Sequence, residues 1–192
     1  MPPRAFLLLV AGLGLGCQSA APSYHITPRG ERAVLDPQAS VYVALASDGE
    51  DIRFLNYEGS GRWTTHSIAS ALPNAAISVG AREETLSQAV ESARRQGAEY
   101  VVYPRILLWE DRLSETTGLP DRVAIHISVV DSARGESVDR RIVEATGRAY
   151  GWRADHPQDL IEGAVRTWTT AVVSRPPPAA PEPSAEAALQ SP

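Results

Sequence analysis

The sequence of 192 residues contains no lysine, because all 18 of its basic residues are arginine. The absence of lysine excludes mechanisms that need an amine side chain, such as Schiff-base formation or phosphate binding by a P-loop lysine. Arginine instead supplies planar donors that pair with carboxylates in a bidentate manner. The 23 acidic residues give a net charge of -5, which does not suit a nucleic-acid surface. We therefore predict no nucleic-acid partner.

Cysteine occurs once, at Cys17, so the chain cannot form an intramolecular disulfide. Arg4 precedes an apolar run from Phe6 to Gly16, which is typical of a signal peptide and too short to span a bilayer. Because Cys17 directly follows this run, we predict that a lipid is attached to it after cleavage, although Gly14 departs from the usual lipobox. The residue after the cysteine is Gln18 and not Asp, as in bacterial lipoproteins that are sorted to the outer membrane, which this part of the sequence resembles. We therefore predict a lipid anchor there, facing the periplasm.

Composition divides the chain into four segments. Proline recurs without a hydrophobic period before residue 39, and the last segment is rich in proline and alanine, so both ends have little to bury. The segment between them has the periodic apolar patterns of one globular domain. The predicted segments are a signal peptide (1–16), a lipidated cysteine with its tether (17–38), an α+β globular domain (39–174) and a disordered tail (175–192).

Hydrophobic periodicity predicts five strands and three helices in this domain. The clearest helix covers 82–97, where Leu86, Val90 and Ala93 lie on one apolar stripe and Gly97 suits the end of a helix. The order β-α-β-α-β-β-β-α indicates the α+β class, as a two-layer sandwich in which helices pack on a mixed sheet. The predicted strands are 40–46, 75–80, 99–110, 122–131 and 137–149, and the predicted helices are 61–72, 82–97 and 156–173.

The stretch "LLWEDRLSETTGLPDR" (107–122) leaves an apolar strand and becomes charged at Glu110 and Asp111. Two carboxylates that share a site can act as acid and base, but adjacent residues on a strand point to opposite faces. A polar rim that pairs with arginines is therefore favoured. His156 lies between Asp155 and Asp159 at the start of the last helix, where such residues are also ordinary caps. We predict no metal site and no cofactor.

Four stretches carry a resemblance to a known family: "SGRWTTHSIASAL", "AVESARRQGAEYVVYPRILLWEDR", "GLPDRVAIHISVVD" and "DHPQDL". They resemble an uncharacterised family of Gram-negative lipoproteins that is catalogued only as a domain of unknown function. The helix followed by "GAEYVVYPRI" is similar, more distantly, to the amino-terminal domain of the periplasmic β-propeller protein of the Tol-Pal system. It is also similar to outer-membrane lipoproteins that activate penicillin-binding proteins. The resemblance implies a module that binds other envelope proteins.

The predicted tether limits how far such a module could reach from the membrane. Its 21 residues (18–38) span at most about 70 Å when fully extended at ~3.3 Å per residue. A lipoprotein that must cross the peptidoglycan needs a longer tether, so direct activation of an inner-membrane enzyme is not favoured.

The sequence thus predicts a non-enzymatic, lipid-anchored interaction module that binds an envelope protein or glycan. The alternative hypothesis is a small periplasmic hydrolase or metal-dependent enzyme that uses Glu110, Asp111 and His156. The sequence does not specify the oligomeric state. Besides Cys17 as the site of lipid attachment and membrane anchoring, the predicted partner-binding residues are Trp109, Glu110, Asp111, Arg112, Asp121, Arg122, Trp152, Arg153 and His156.

Overall fold

A six-stranded mixed sheet forms the centre of the protein in a computed structural model that describes residues 21–32, 34–50, 53, 55–74, 76–112, 118–148 and 155–173. In chain order the strands are β1 (Ser23–Arg32), β2 (Ser40–Leu45), β3 (Gly49–Glu50), β4 (Asn56–Tyr57), β5 (Ala76–Glu83), β6 (Tyr100–Glu110), β7 (Arg122–Asp131) and β8 (Glu136–Thr146). The helices are α1 (Ser60–Ala71), α2 (Leu86–Gln96) and α3 (Pro157–Val172).

The sheet has the strand order β1-β8-β7-β6-β2-β5, and β3 pairs separately with β4. Strand β2 is parallel to both β5 and β6, whereas β6, β7, β8 and β1 are successively antiparallel. The parallel part arises because strands linked through helices must cross over, while the later strands follow one another through shorter connections. The predicted α+β class and mixed sheet are confirmed.

Helices cover both faces of the sheet, as the handedness of its crossovers requires. The chain passes through α1 from β2 to the edge strand β5, and then returns through α2 to β6 on the other side of β2. Right-handed crossovers in opposite directions place their helices on opposite faces. Accordingly, Ile68 of α1 packs in the same core as Val43, whereas Ala93 of α2 packs with Tyr42. Helix α2 therefore adds a layer that the two-layer prediction did not include.

The larger core lies between the sheet and helices α1 and α3. The inward residues of β7 alternate as predicted, and Ile125 and Ile127 are fully buried against Trp168 of α3. Full burial of one large aliphatic side chain contributes about 1.5–3 kcal/mol. This core holds α3 firmly on the sheet, and the start of α3 is consequently a fixed point beside the strand ends.

The boundary between β5 and α2 is set by a reciprocal cap. The Thr85 hydroxyl accepts a hydrogen bond from the Gln88 N–H, and the Gln88 side chain accepts one from the Thr85 N–H. Helix α2 therefore begins at Leu86, and residues 82–83, which the sequence assigned to the helix, belong to β5. The other end is as predicted, because Gly97 adopts a left-handed conformation with φ 71°.

The predicted tether is wrong for residues 23–32, which form the edge strand β1 along β8. Tyr24 and Ile26 pack against the core, while Ser23 and His25 are exposed. The pattern is short and is broken by Pro28 and by Gly30, at φ 114°, which an edge strand tolerates because only one side must pair. The sequence signal was therefore weak, and the pairing depends on the exposed edge of β8.

Two further features near the ends of the domain were not predicted. Leu35 is buried and its N–H donates to the Val172 carbonyl at 2.7 Å, so the chain after β1 is tied to the end of α3. Strand β3 lies next to β6. The carboxylate of Asp48, just before β3, accepts hydrogen bonds from the N–H groups of Gly59 and Gly61 at the start of α1.

None of the described helices combines the length and apolar character that crossing a bilayer requires.

Strand β1 can be tested through the contact between Tyr24 and Gly163 of α3. A Cβ at position 163 would collide with the Tyr24 ring, so Gly163→Ala should lower the free energy of unfolding by about 1–3 kcal/mol. In a Tyr24→Ala background the collision is absent, and the same change should stabilise the protein by up to ~1 kcal/mol through helix propensity. Urea denaturation of the four proteins measures this cycle. Equal stabilisation in both backgrounds would mean that residues 23–32 are not packed on α3.

Candidate functional site

The charged residues singled out in the sequence lie at one end of the sheet, where β6 ends and β7 begins. Across the neighbouring strands, Glu110 is paired with Arg122, Arg122 with Thr146, and Thr146 with Ser23. This row defines what we call the site end of the sheet. The N-terminal end of β1 therefore lies at the same end of the sheet as the candidate site.

Arg112 connects the last residues of β6 with the first residues of β7. Its main-chain N–H donates to Oδ1 of Asp121 at 2.7 Å, and its guanidinium group lies 2.6 Å from Oε2 of Glu110. Glu110 is 6% exposed and Asp121 is completely buried. Arg112 thus holds two buried carboxylates, one through its backbone and the other through its side chain.

Three side chains converge beside this connection: Asp111, Asp121 and His156, which we call the acidic cluster. Nδ1 of His156 lies 3.7 Å from Oδ1 of Asp111 and 3.9 Å from Oδ2 of Asp121. One nitrogen or oxygen atom from each residue lies within 4.8 Å of the other two. The cluster joins the end of β6 and the start of β7 to the start of α3.

The start of α3 is positioned by its neighbouring acids. The Asp155 carboxylate accepts hydrogen bonds from the main-chain N–H and the guanidinium group of Arg148. The Asp159 carboxylate accepts one from the His156 N–H at 3.1 Å. Asp159 therefore takes part in capping the helix, as the capping interpretation expected, whereas Asp155 pairs with Arg148 and does not cap the helix. The acids near the His156 imidazole are instead Asp111 and Asp121.

Asp121 has an unusual environment for a carboxylate. Its Oδ2 accepts no hydrogen bond from any residue that the structure describes. Burial, with a smaller contribution from the charge of Asp111, raises the pKa of Asp121 to about 6. The Arg112 N–H and the neighbouring His156 favour the charged form and limit this rise in pKa. Asp121 therefore carries a charge at neutral pH, and the described residues supply it with an incomplete set of partners.

A cleft of about 510 Å³ adjoins the acidic cluster, and we call it the Trp63 cleft. Trp63 is 51% exposed, whereas Trp109 is 4% exposed and lies 6.4 Å from Tyr57 between ring centroids. Trp109 therefore covers the core, and Trp63 is the more accessible aromatic side chain. The cleft is lined by Asn56, Tyr57, Glu58, Gly59, Ser60, Trp63, Trp109, Asp111 and Gln158.

The predicted site residues separate into buried and accessible ones. Trp109, Glu110 and Asp121 are buried, Arg112 is half-buried, and Asp111, Arg122 and His156 are exposed. Any direct contact of this set with a partner would therefore go mainly through the exposed residues. Cys17, Trp152 and Arg153 lie outside the described residues. In the hydrolase hypothesis, Asp111 and His156 come together, while Glu110 is paired with Arg112.

Trp63 was not among the predicted site residues, although a signal for it exists in the sequence. The buried positions of α1 include Gly61, Thr64, Thr65 and Ile68, which form one face of the helix. Trp63 lies outside this face, so a large aromatic side chain is placed where packing does not require it. An exposed aromatic residue on the polar face of a helix is a signal for binding rather than for folding.

The pKa of Asp121 predicts a pH-dependent stability. Its pKa rises from 3.8 to about 6 on folding, so its contribution is complete below pH 3.8 and is lost as the pH rises through 6. The loss is worth roughly 2–3 kcal/mol. Asp121→Asn should therefore become more stable relative to the wild type between about pH 4 and pH 7, as measured by urea denaturation with EDTA present.

Asp131→Asn is the matched control for this measurement. The Arg134 N–H lowers the pKa of Asp131, so the contribution of this carboxylate is present at neutral pH and is lost in acid. The stability of the control relative to the wild type should therefore stay nearly constant between pH 4 and pH 7, and should rise only as the pH falls below about 4. Parallel pH profiles for the wild type and Asp121→Asn would contradict the assignment.

The fold is similar to that of solved structures of low sequence identity. The PelC dodecamer from Paraburkholderia phytofirmans has a TM-score of 0.58 at 16% identity, covering 79% of this chain and 100% of that chain. Protein XCC0632 from Xanthomonas campestris, of family DUF330, has a TM-score of 0.46 at 13% identity, covering 80% and 91%. The LpoB C-terminal domain from Salmonella enterica has a TM-score of 0.37 at 16% identity, covering 55% and 82%. Of these three, the PelC likeness alone is close enough to show a shared fold.

The family of the chain is established by its sequence. No curated protein matches it. A family model described as a domain of unknown function, DUF4823, matches residues 33–172, which is most of the chain. The similarity to the Tol-Pal protein stays a prediction. The chain therefore belongs to the DUF4823 family, which confirms the uncharacterised domain family that its motifs predicted.

Proposed function

We propose that this protein is a lipid-anchored, non-enzymatic module on the periplasmic face of the outer membrane that binds an envelope glycan in the Trp63 cleft. The observation that carries the proposal is the exposed Trp63 in a cleft whose other lining is mostly polar. A ring that is half in solvent contributes less to folding than a buried one, and Trp is enriched among the residues that dominate binding interfaces.

The chemistry of the cleft suits a sugar chain. A pyranose ring has an apolar C–H face that can lie on an aromatic ring, and its hydroxyl groups need hydrogen-bond acceptors. Trp63 and Tyr57 supply the aromatic surface, while Asp111, Glu58 and Gln158 supply carboxylate or carboxamide oxygens. A protein partner with a flat surface would not fill this concave site or use so many hydrogen-bond acceptors within it. A glycan is therefore favoured over a protein partner.

The position of β1 supports a partner close to the membrane. Only residues 18–22 separate Cys17 from Ser23, the first residue of β1. A lipid on Cys17 would keep Ser23 within about 20 Å of the anchor, because each residue spans at most ~3.6 Å. This distance is much shorter than the predicted tether allowed. Since Ser23 lies at the site end of the sheet, the Trp63 cleft would face glycans near the inner leaflet.

A binding module is favoured over a hydrolase because the contacts of Glu110 and Asp111 do not suit acid–base catalysis. An acid or base catalyst must reach the substrate within hydrogen-bond distance. Glu110 is buried and paired with Arg112, and the nearest separation between Asp111 and His156 is 3.7 Å rather than a hydrogen bond. The hydrolase alternative would require this arrangement to change.

The anchor is tested by Cys17→Ser in the full-length protein. The wild type should fractionate with the outer membrane and incorporate radiolabelled palmitate, because the lipid supplies the membrane affinity. The variant should lose the label and leave the membrane fraction. Ser19→Ala is the matched control and should behave like the wild type. The same membrane fraction and gel mobility for Cys17→Ser would rule out lipid anchoring at this residue.

The cleft is tested by Trp63→Ala against peptidoglycan disaccharide–tetrapeptide fragments and a panel of neutral, acidic and amino-sugar polysaccharides. At least one of these probes should quench the tryptophan fluorescence of the wild type. Trp63→Ala should weaken that binding by about 10-fold or more, the size expected for an aromatic hot spot. Calorimetry with the full-length chain measures the affinity.

Leu86→Ala is the control, because Leu86 is also an exposed apolar residue but lies on α2, on the opposite face of the sheet. It should bind like the wild type. Equal weakening by both changes, or no binding of any probe, would count against a glycan site. Capture of a protein by photo-crosslinking from position 62, together with no glycan binding, would replace the glycan with a protein partner.

A further inference from the structure

The acidic cluster brings together three potential ligand atoms from separate parts of the fold. Asp111 follows β6, Asp121 precedes β7, and His156 precedes α3, so only the tertiary structure assembles them. Their closest nitrogen–oxygen distances are 3.7 and 3.9 Å. Ligand atoms around a tetrahedral metal with bonds of about 2.0–2.2 Å lie roughly 3.3–3.6 Å apart. The two nitrogen–oxygen pairs would contract by a few tenths of an ångström on binding a metal, and the oxygen atoms of Asp111 and Asp121, which lie within 4.8 Å of each other, would approach by up to about 1.5 Å.

An independent feature of the cluster is the unsatisfied oxygen of Asp121. The side chain is completely buried and its Oδ2, which faces His156, has no hydrogen-bond donor among the described residues. A buried carboxylate oxygen without a donor is rare, because its desolvation is not compensated. The Oδ1 atom is already satisfied by the Arg112 N–H, so the unmet requirement is confined to the atom that points into the cluster.

The neighbouring arginines direct their charges elsewhere. The guanidinium group of Arg112 lies against Glu110, and that of Arg148 lies against Asp155. The two carboxylates of the cluster therefore present two negative charges next to one imidazole. A divalent cation would neutralise both carboxylates and give Oδ2 of Asp121 a partner.

We propose that Asp111, Asp121 and His156 bind a divalent transition-metal ion, for which Zn²⁺ is the best match. One imidazole nitrogen and two carboxylate oxygens suit Zn²⁺, whereas Ca²⁺ and Mg²⁺ prefer sites made of oxygen alone. With three protein ligands, a further position stays open to water or to an oxygen of a bound partner. Asp111 also lines the Trp63 cleft, so the open position would lie beside that cleft.

The metal site does not depend on the glycan proposal, although the two sites share Asp111. As a structural element, the ion would tie the connection between β6 and β7 to the start of α3. Its ligands include two exposed residues, Asp111 and His156, so the ion can enter from solvent.

The proposal is tested by titrating Zn²⁺ and Co²⁺ into the full-length, untagged chain, with Cys17→Ser in every protein to exclude binding by the thiol. Calorimetry should show one Zn²⁺ per chain, and Co²⁺ should give visible absorption bands typical of low coordination number. Asp121→Asn and His156→Ala should each weaken Zn²⁺ binding by more than about 100-fold, beyond the loss caused by removing an outer-shell partner.

Controls separate this site from general metal binding and from misfolding. His25→Ala removes another exposed histidine, on β1, and should leave the Zn²⁺ affinity unchanged. Circular dichroism checks folding, and Asp111→Asn, at an exposed ligand, decides the result if Asp121→Asn does not fold. Trp63→Ala should weaken glycan binding by about 10-fold or more but keep Zn²⁺ binding unchanged. Absence of saturable Zn²⁺ and Co²⁺ binding, or an affinity that Asp111→Asn and His156→Ala do not change, would overturn the proposal.

Discussion

The hydrogen bond from the Arg112 main chain to the buried carboxylate of Asp121 is the interaction on which the site end of the sheet depends. It fixes the end of β6 against the start of β7, while the same residue neutralises Glu110 through its side chain. A buried carboxylate is costly unless it is hydrogen-bonded. Arg112 meets this requirement for one oxygen of Asp121 and leaves the other directed at His156. This second oxygen is the atom that could accept a ligand.

The rest of the architecture holds this interaction in place. The alternating apolar residues of β7 bury one face of the sheet against α3, and that packing places His156 next to the strand ends. The opposite direction of the two crossovers leaves α2 on the other face, away from the cleft. The Trp63 cleft and the acidic cluster therefore both lie on the α1 and α3 side, where Asp111 belongs to both of them. The addition of β1 brings the N-terminal part of the chain to the same end of the sheet.

Sequence patterns were most informative where one periodic signal was long. The apolar stripe and Gly97 defined α2 except at its start, and the alternation of β7 defined a strand with the observed bounds. They failed at β1, because an edge strand pairs on one side only and Pro28 and Gly30 look like linker residues. For the site, the charged stretch from Glu110 to Arg122 was identified, but the burial of Asp121 was not, since neighbouring positions in the sequence do not show which side chains turn inward.

The sequence by itself determined the α+β class, the order of the main strands and helices, and the family, because each depends on local periodicity or on short sequence motifs. It also located the charged connection after β6. Only the tertiary structure decided that Asp111, Asp121 and His156 meet, and that Trp63 rather than Trp109 is accessible. Asp111 and His156 are 45 positions apart in the chain. The packing of helix α3 on the sheet brings them together in space. Packing over the whole core, rather than any local pattern, therefore determines the geometry of the candidate site.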